Sequence, residues 1–376
     1  MNRLFVRNAF NTSHSRTALF CHLTQSLDTN NRQHVNRLEG LLTARVLSSL
    51  GFNIDLYNYR YKEDIDYSPY DLVYGLGRNL PRAYQQNRSH PLVIYYATGL
   101  PLCLFSYQAH RAMQYFYARH GVWLYESHRF PEGDVEETMS EQLCDALIVL
   151  GAESHALHQK LYPQKIVLAQ NAPFNTRLDE KTILNKEYAL AKKQYLWMGS
   201  IGLIYKGLDV VLDVFSKRPD LTLHILCLEK EPSFFEHYTE ALRLPNIRRY
   251  GFIDVQSPLF QELVATCGFV LSSSWAEGQS TSVVNCMHCG LIPIVTRECG
   301  LSHDEVPILL EDQSMEALER ALRICDAMDP STMRELAGNV LKNTKQRHGP
   351  KAYMEQLRKN ILEIFAAHRP QWLEAP

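Results

Sequence analysis

The chain has 376 residues, 45% of them hydrophobic and 21% charged, with a formal net charge of -2. This is a globular composition with room for two domains of ordinary size, and it excludes a largely disordered chain. The near-neutral balance removes any whole-chain electrostatic case for nucleic acid, which is not expected as a partner.

Residues 1–15 show no clear period and read as an irregular leader. Thr17 to Leu23 is a short strand, followed by a polar loop from Ser26 to Gln33. From Val35, the apolar positions Leu38, Leu41, Leu42, Val46 and Leu50 follow a helical period, and Gly51 supplies the stop. Asn53 to Tyr57 is the next strand, so the segment is a strand–helix–strand unit of the kind that builds parallel sheets. His34, Asn36, Arg37 and Glu39 fall at the start of its helix and read as a solvated helix start. Further strands are expected at Asp71–Tyr74, Leu92–Tyr96, Asp145–Leu150 and Lys165–Leu168, with polar or amphipathic crossovers between them. The apolar region Pro91 to Tyr107 is interrupted by Thr98, Gly99 and Pro101, so it reads as a buried strand with a loop rather than a membrane span. Residues 106–130 place His110, Arg111, Arg119, His120, His128 and Arg129 among Tyr and Phe. The reading preferred for them is a solvated helix surface; a basic aromatic face toward an anionic lipid or a polysaccharide is the alternative.

The charged stretch 176–194 is expected to link two domains. A new strand, Tyr195–Met198, then runs into Gly199-Ser200-Ile201-Gly202 and Tyr205-Lys206-Gly207, with a helix from about Leu208. Leu221–Leu228 is the next strand. Leu259–Ala265 is a helix, and Phe269 opens a buried strand ending in Ser272-Ser273-Ser274. Glu277-Gly278 follow, and Gln279-Ser280-Thr281-Ser282 begin an apolar helix that stops at Gly290 and Pro293. Hydroxyl residues suit an N-cap there, and a helix start favours an anion such as phosphate. Leu291–Val295 is a strand, and three helical patterns close the chain, the last with Tyr353, Leu357, Ile361, Ile364 and Phe365 on one face.

The nine cysteines are scattered and odd in number, and no secretory leader is evident, which together suggest reduced thiols in a cytosolic protein. Cys286, His288 and Cys289, with Cys299 and His303 nearby, invite a zinc hypothesis. Two spaced ligand pairs are lacking, however, so buried structural cysteine is the preferred reading and no metal is expected.

The stretch from Glu277 to Pro293 resembles the E-G-x-G-x-x-x-x-E motif of retaining GT-B glycosyltransferases of the group 1 type (glycosyltransferase family 4-like). Glu277-Gly278 match its start, Met287 and Gly290 its A-M-A-x-G, and Pro293 the following proline; Asn285 stands where the second glutamate would be. Gly199 to Gly207 resembles the family's G-R-x…K-G segment, with Lys206 and Gly207 matching and Ser200 in place of the arginine. The resemblance implies an α/β fold of GT-B architecture, two Rossmann-like domains with parallel sheets facing a central cleft. Its domains would be an acceptor domain at 1–175, a linker at 176–194, a nucleotide-sugar domain at 195–348, and a helix at 349–376 packing back on the first.

It also implies an enzyme that moves a sugar from a nucleotide-diphosphate sugar to a glycan or lipid-linked acceptor with retention of configuration, in cell-envelope polysaccharide assembly. Lys206, Ser200 and the amides of Ser280 and Thr281 would face the diphosphate, without a metal or other cofactor. Glu277 would position the sugar, and Asn285 would take the ribose. Gly199, Gly207, Ile253, Gly278, Gln279 and Ser282 would complete the donor site. Thr98 would stand where the family often has a histidine, able to hydrogen-bond but not to carry a proton near neutral pH. The setting implied is cytoplasmic, with peripheral contact at the inner membrane face left open. The substitutions at Ser200, Asn285 and Thr98 keep a catalytically weak binding module as the rival reading. A nucleotide-sugar epimerase of the same architecture is a second rival.

Overall fold

A computed structural model of the protein describes residues 4–27, 35–86, 91–129, 135–172 and 179–374. They belong to two compact units, one taking 1–102, 132–172 and 348–376, the other 103–131 and 173–347.

The first unit is built on seven strands: β1 (Phe5–Val6), β2 (Arg16–His22), β3 (Phe52–Asn58), β4 (Leu72–Gly75), β5 (Leu92–Ala97), β6 (Ala146–Leu150) and β7 (Lys165–Ala169). Their order is β1-β3-β2-β4-β5-β6-β7. Every neighbouring pair is parallel except β1 with β3, where Phe5 lies opposite Tyr57. Parallel strands are covered on both faces and so read as unbroken apolar runs. Alternate residues then serve opposite faces. Ala18, Phe20, Ile54 and Ile94 pack into one core, and Leu19, Cys21, Val73 and Val93 into another. The helix Pro350–His368 completes the first core with Tyr353, Leu357, Ile361, Ile364 and Phe365. The Tyr353 hydroxyl also shares a 2.9 Å hydrogen bond with Thr43 Oγ1.

The second unit holds β8 (Gln194–Met198), β9 (Thr222–Leu226), β10 (Ile247–Arg249), β11 (Phe269–Ser272), β12 (Ile292–Thr296) and β13 (Ile308–Leu310). This sheet is wholly parallel, in the order β10-β9-β8-β11-β12-β13. The chain winds outward in one direction from β8 and in the other from β11. The order therefore reverses between those two strands, whose register pairs Phe269 with Tyr195 and Leu271 with Trp197.

Several expectations change on contact with the structure. The leader read at 1–15 contains β1, because a two-residue edge strand is too short to show a period. The strand-and-loop reading of 91–107 ends at β5, and a helix runs from Leu102 to His120. That helix is not simply a solvated surface. Ala109, Ala112, Met113 and Phe116 are buried, Arg119 pairs with Asp209 and Asp213, and His120 Nε2 lies 3.0 Å from Asp213 Oδ2. Glu39 is likewise buried rather than solvated. It accepts the Ala172 N–H at 3.0 Å, and burial pushes its carboxyl up to about 7. His34 lies outside the described residues. Within the stretch read as a linker, the short helices Glu180–Leu184 and Tyr188–Ala191 bury Ile183, Tyr188 and Ala191.

His224 on β9 is held between Tyr250 and Gln194, 2.9 Å from each: the ring accepts the Tyr250 hydroxyl at Nδ1 and donates to Gln194 Oε1 from Nε2. Burial, then the positive charge of Arg248, lowers its pKa to about 4. The unfolded chain takes up a proton near 6.5 and the folded chain near 4, so stability is lost as pH falls through that window. Melting temperatures of wild type and His224→Gln are to be compared at pH 7 and pH 4.5. The drop between the two pH values should be larger for the wild type than for His224→Gln, by about 2 °C or more. Equal drops would remove His224 as the cause.

Candidate functional site

Doubly wound sheets bind ligands beyond the carboxyl ends of their strands, at the point where strand order reverses. In the second unit that point lies between β8 and β11. The turns leaving these strands are 199–207 and 273–280, and they carry Gly199, Ser200, Lys206, Gly207, Glu277, Gly278, Gln279 and Ser280 of the residues singled out in the sequence, with Thr281, Ser282 and Asn285 on the helix that follows the second turn.

Three contacts join the two turns. Ser273 Oγ donates to the Gly207 carbonyl at 3.0 Å, the Trp275 N–H donates to the Tyr205 carbonyl at 3.0 Å, and Lys206 Nζ donates to Glu277 Oε1. Gly207 has φ +74°, and a Cβ there would overlap the Ser273 hydroxyl and carbonyl, so both backbone shape and clearance call for glycine. The Lys206 and Glu277 side chains are 13% and 18% exposed: shielded on most sides, yet reachable.

A third turn, after β12, sits on the second. Thr296 Oγ1 donates to the Ser274 carbonyl at 2.7 Å, and the Ser280 N–H donates to the Cys299 carbonyl at 2.8 Å. Gly300 has φ +75°, and a Cβ on it would overlap the Gly278 carbonyl oxygen. The Ser280 amide is therefore already engaged, which corrects its reading as a free phosphate donor. The helix that follows spans only Thr281–Met287. Ser280 is at its N-cap, but its hydroxyl meets Ser282 Oγ at 3.1 Å and makes no capping bond.

Gln279 and Asn285 are buried, while Thr281 and Ser282 are partly exposed. Gly199 backs onto the Trp197 ring, and Ser200 is partly exposed beside it. Ile253 packs at the edge of the core behind β11 and β12. Thr98 belongs to the first unit and is exposed just past β5.

Some of the buried polar atoms without partners lie on these turns and on the helix after them. Among the described residues, Tyr205 Oη, Ser274 Oγ, Trp275 Nε1 and Asn285 Oδ1 are buried with no hydrogen bond. Buried polar groups are nearly always satisfied, so four unsatisfied ones around two adjoining turns suit a surface that a polar ligand completes. Sequence reasoning did not find Trp275 or Glu231. The Glu231 carboxylate accepts the N–H groups of Gly202 and Leu203, and at 2.5 Å the Ser127 hydroxyl. No local pattern marks it, because its partners lie 28 and 104 positions away.

The cysteines behind the site are core residues. Cys286, Cys289 and Cys299 are buried and form no disulfide, and burial holds the Cys299 thiol up at about 11. Among the described residues no group of three His, Cys, Asp or Glu side chains is placed to hold a metal ion. No described helix is long and apolar enough to cross a membrane.

Scans of protein-family models and of curated protein sequences each found no match. Solved structures do match. Sucrose-phosphate synthase from Thermosynechococcus elongatus aligns over 94% of this chain and all of its own, with a TM-score of 0.64 at 13% identity. HepE of Anabaena, solved in complex with UDP-glucose, aligns over 93% and 99% of the two chains with a TM-score of 0.62 at 12% identity. WaaG, a glycosyltransferase involved in lipopolysaccharide biosynthesis, aligns over 92% and 99% with a TM-score of 0.57 at 14% identity. The fold is therefore that of the GT-B glycosyltransferases, an α/β architecture with two sheets that are parallel except for β1.

Gly300→Ala should unfold at a lower temperature than Gly121→Ala. Both glycines have positive φ, but only Gly300 faces a backbone oxygen, whereas nothing lies within 4 Å of a Cβ at Gly121. Left-handed backbone alone costs about 1–2 kcal/mol for a residue with a Cβ. Equal melting temperatures for the two variants would show that the Gly278–Gly300 approach relaxes without cost.

Proposed function

We propose that the protein is a glycosyltransferase that moves a sugar from a nucleotide-diphosphate sugar to a glycan or lipid-linked acceptor. The observation that carries this reading is the Lys206–Glu277 pair at the strand-order reversal of a GT-B sheet. Breaking the bond between sugar and diphosphate builds negative charge on the leaving oxygen. A preorganised cation and fixed dipoles in a shielded site stabilise that charge without having to reorganise. Lys206 is the cation in this reading, and it exchanges Glu277 for the diphosphate as the donor binds. Glu277, released from Lys206, then accepts hydrogen bonds from sugar hydroxyls.

The unpaired Asn285 Oδ1 suits a ribose hydroxyl, and Ser274 Oγ and Trp275 Nε1 offer further polar partners. Protein cations take the diphosphate charge in this scheme, so the proposed reaction is metal-independent. Retention of configuration is part of the proposal. So is a setting in cell-envelope polysaccharide assembly, suggested by neighbours such as WaaG. UDP-glucose is the first donor to try, because the HepE structure contains it.

Lys206→Ala should abolish the thermal stabilisation that a nucleotide sugar gives the wild type, and lower transfer at least about 100-fold, the scale seen when one charge-stabilising donor is lost. Product analysis separates the alternatives. Sugar on an acceptor supports the transferase, whereas an inverted sugar still joined to its nucleotide would identify an epimerase. No stabilisation of the wild type by any nucleotide sugar at millimolar concentration would bring the binding-module reading forward.

A further inference from the structure

The loop leaving β8 has one cation, Lys206, and Glu277 cancels its charge. Ser200 is neutral. A diphosphate carries more than one negative charge, so a site with no net positive charge is a poor match for it. Another cation does lie on this loop, although it comes from a different part of the unit. A Cβ built on Gly202 would meet Arg129 Cδ at 3.1 Å, and the Arg129 guanidinium stands 5.7 Å from the centre of the Tyr205 ring. The Tyr205 hydroxyl is buried and unpartnered among the described residues. Burial and then the Glu277 charge push that hydroxyl's pKa up while Arg129 pulls it down, which places both charged groups near one buried oxygen. Among the described residues, no carboxylate is ion-paired with Arg129.

We propose that Arg129 is a diphosphate-binding residue, supplying from outside the β8 loop the second positive charge that the loop lacks. The proposal rests on the nucleotide-sugar reading of the same site.

The surrounding contacts explain how a residue so remote in sequence is held there. Arg129 follows the 3-10 turn Tyr125–Ser127. Glu126 Oε2 accepts the Ser233 N–H at 3.1 Å, at the start of the helix Pro232–His237. Ser127 Oγ donates to Glu231 Oε2 at 2.5 Å, and the same carboxylate accepts the amides of Gly202 and Leu203. One buried carboxylate thus joins the Arg129 segment to the loop it serves. Upstream, Arg119 anchors the preceding helix on Asp209 and Asp213, one turn apart on the helix that starts immediately after Gly207. A planar guanidinium fork also matches two phosphate oxygens at once, which an ammonium does not.

The test is titration calorimetry on the full chain. UDP, GDP, ADP and CDP are tried first, and the tightest is then compared with its own nucleoside in wild type, Arg129→Gln, Arg129→Lys and the double variant Arg129→Gln/Ser200→Arg. Arg129→Gln should weaken the nucleoside diphosphate tenfold or more and the nucleoside by no more than about twofold. Arg129→Lys should fall between, and the double variant should regain part of the loss, which also shows that the protein is folded. Diphosphate affinity unchanged in Arg129→Gln but lost in Lys206→Ala would overturn the assignment of Arg129 and leave the donor site standing. Equal loss of nucleoside and diphosphate in Arg129→Gln, without recovery in the double variant, would overturn it as well and make Arg129 a packing residue. If the wild type binds none of the four at millimolar concentration, the nucleotide-sugar reading and the assignment fall together.

Discussion

The bond between Lys206 and Glu277 is the constraint on which the chemistry proposed for the second unit depends. It joins turns from two strands, β8 and β11, that are adjacent in space because the sheet order reverses between them. Everything around it brings those turns close: a glycine at 207 whose missing Cβ admits Ser273, a main-chain bond from Trp275 to Tyr205, and a glycine at 300 that lets the third turn settle on Gly278. A partly shielded ion pair of this kind contributes little to stability by itself, since desolvation offsets much of the attraction. In the proposed function its value lies in holding a cation and an acceptor at fixed positions until a ligand with both an anion and hydroxyl groups separates them.

Much of this was legible in the residue pattern. Buried parallel strands are continuous apolar runs, so β2, β5, β6, β8, β11 and β12 stand out, as do the Lys206-Gly207 and Glu277-Gly278 turns between strand and helix. Less could be read where the deciding contact is distant. β1 has two residues and β13 three, too few for a period to emerge. The helix Leu102–His120 looks amphipathic either way. From Cys103 onward it belongs to the second unit, where Arg119 meets Asp209 and Asp213 about 90 positions downstream, a contact no local rule can anticipate. Glu39 looked solvated because it opens a helix, yet a backbone N–H at Ala172 draws it inside.

The departures from the GT-B sequence motifs acquire a physical setting in the same way. Among the described residues Asn285 keeps a buried acceptor with no partner, where the motif would place a charged carboxylate. Glu231 directs its carboxylate to the backbone of the β8 loop and to Ser127, which ties the loop down at Gly202 and Leu203. The Ser280 amide is engaged with Cys299, so the proposed donor site calls on side-chain cations rather than that amide for the anion. The cysteines packed behind these turns fill space in an apolar core, consistent with their burial.

The central claim is that a nucleotide sugar binds on the turns that follow β8 and β11. Amide-resolved NMR of the isotopically labelled full chain, titrated with UDP-glucose and then with other nucleotide sugars, tests it most directly. Perturbations concentrated at residues 199–207 and 273–280, saturating together, are the result expected. Saturable perturbations confined to the first unit, or none from any nucleotide sugar at millimolar concentration, would contradict it.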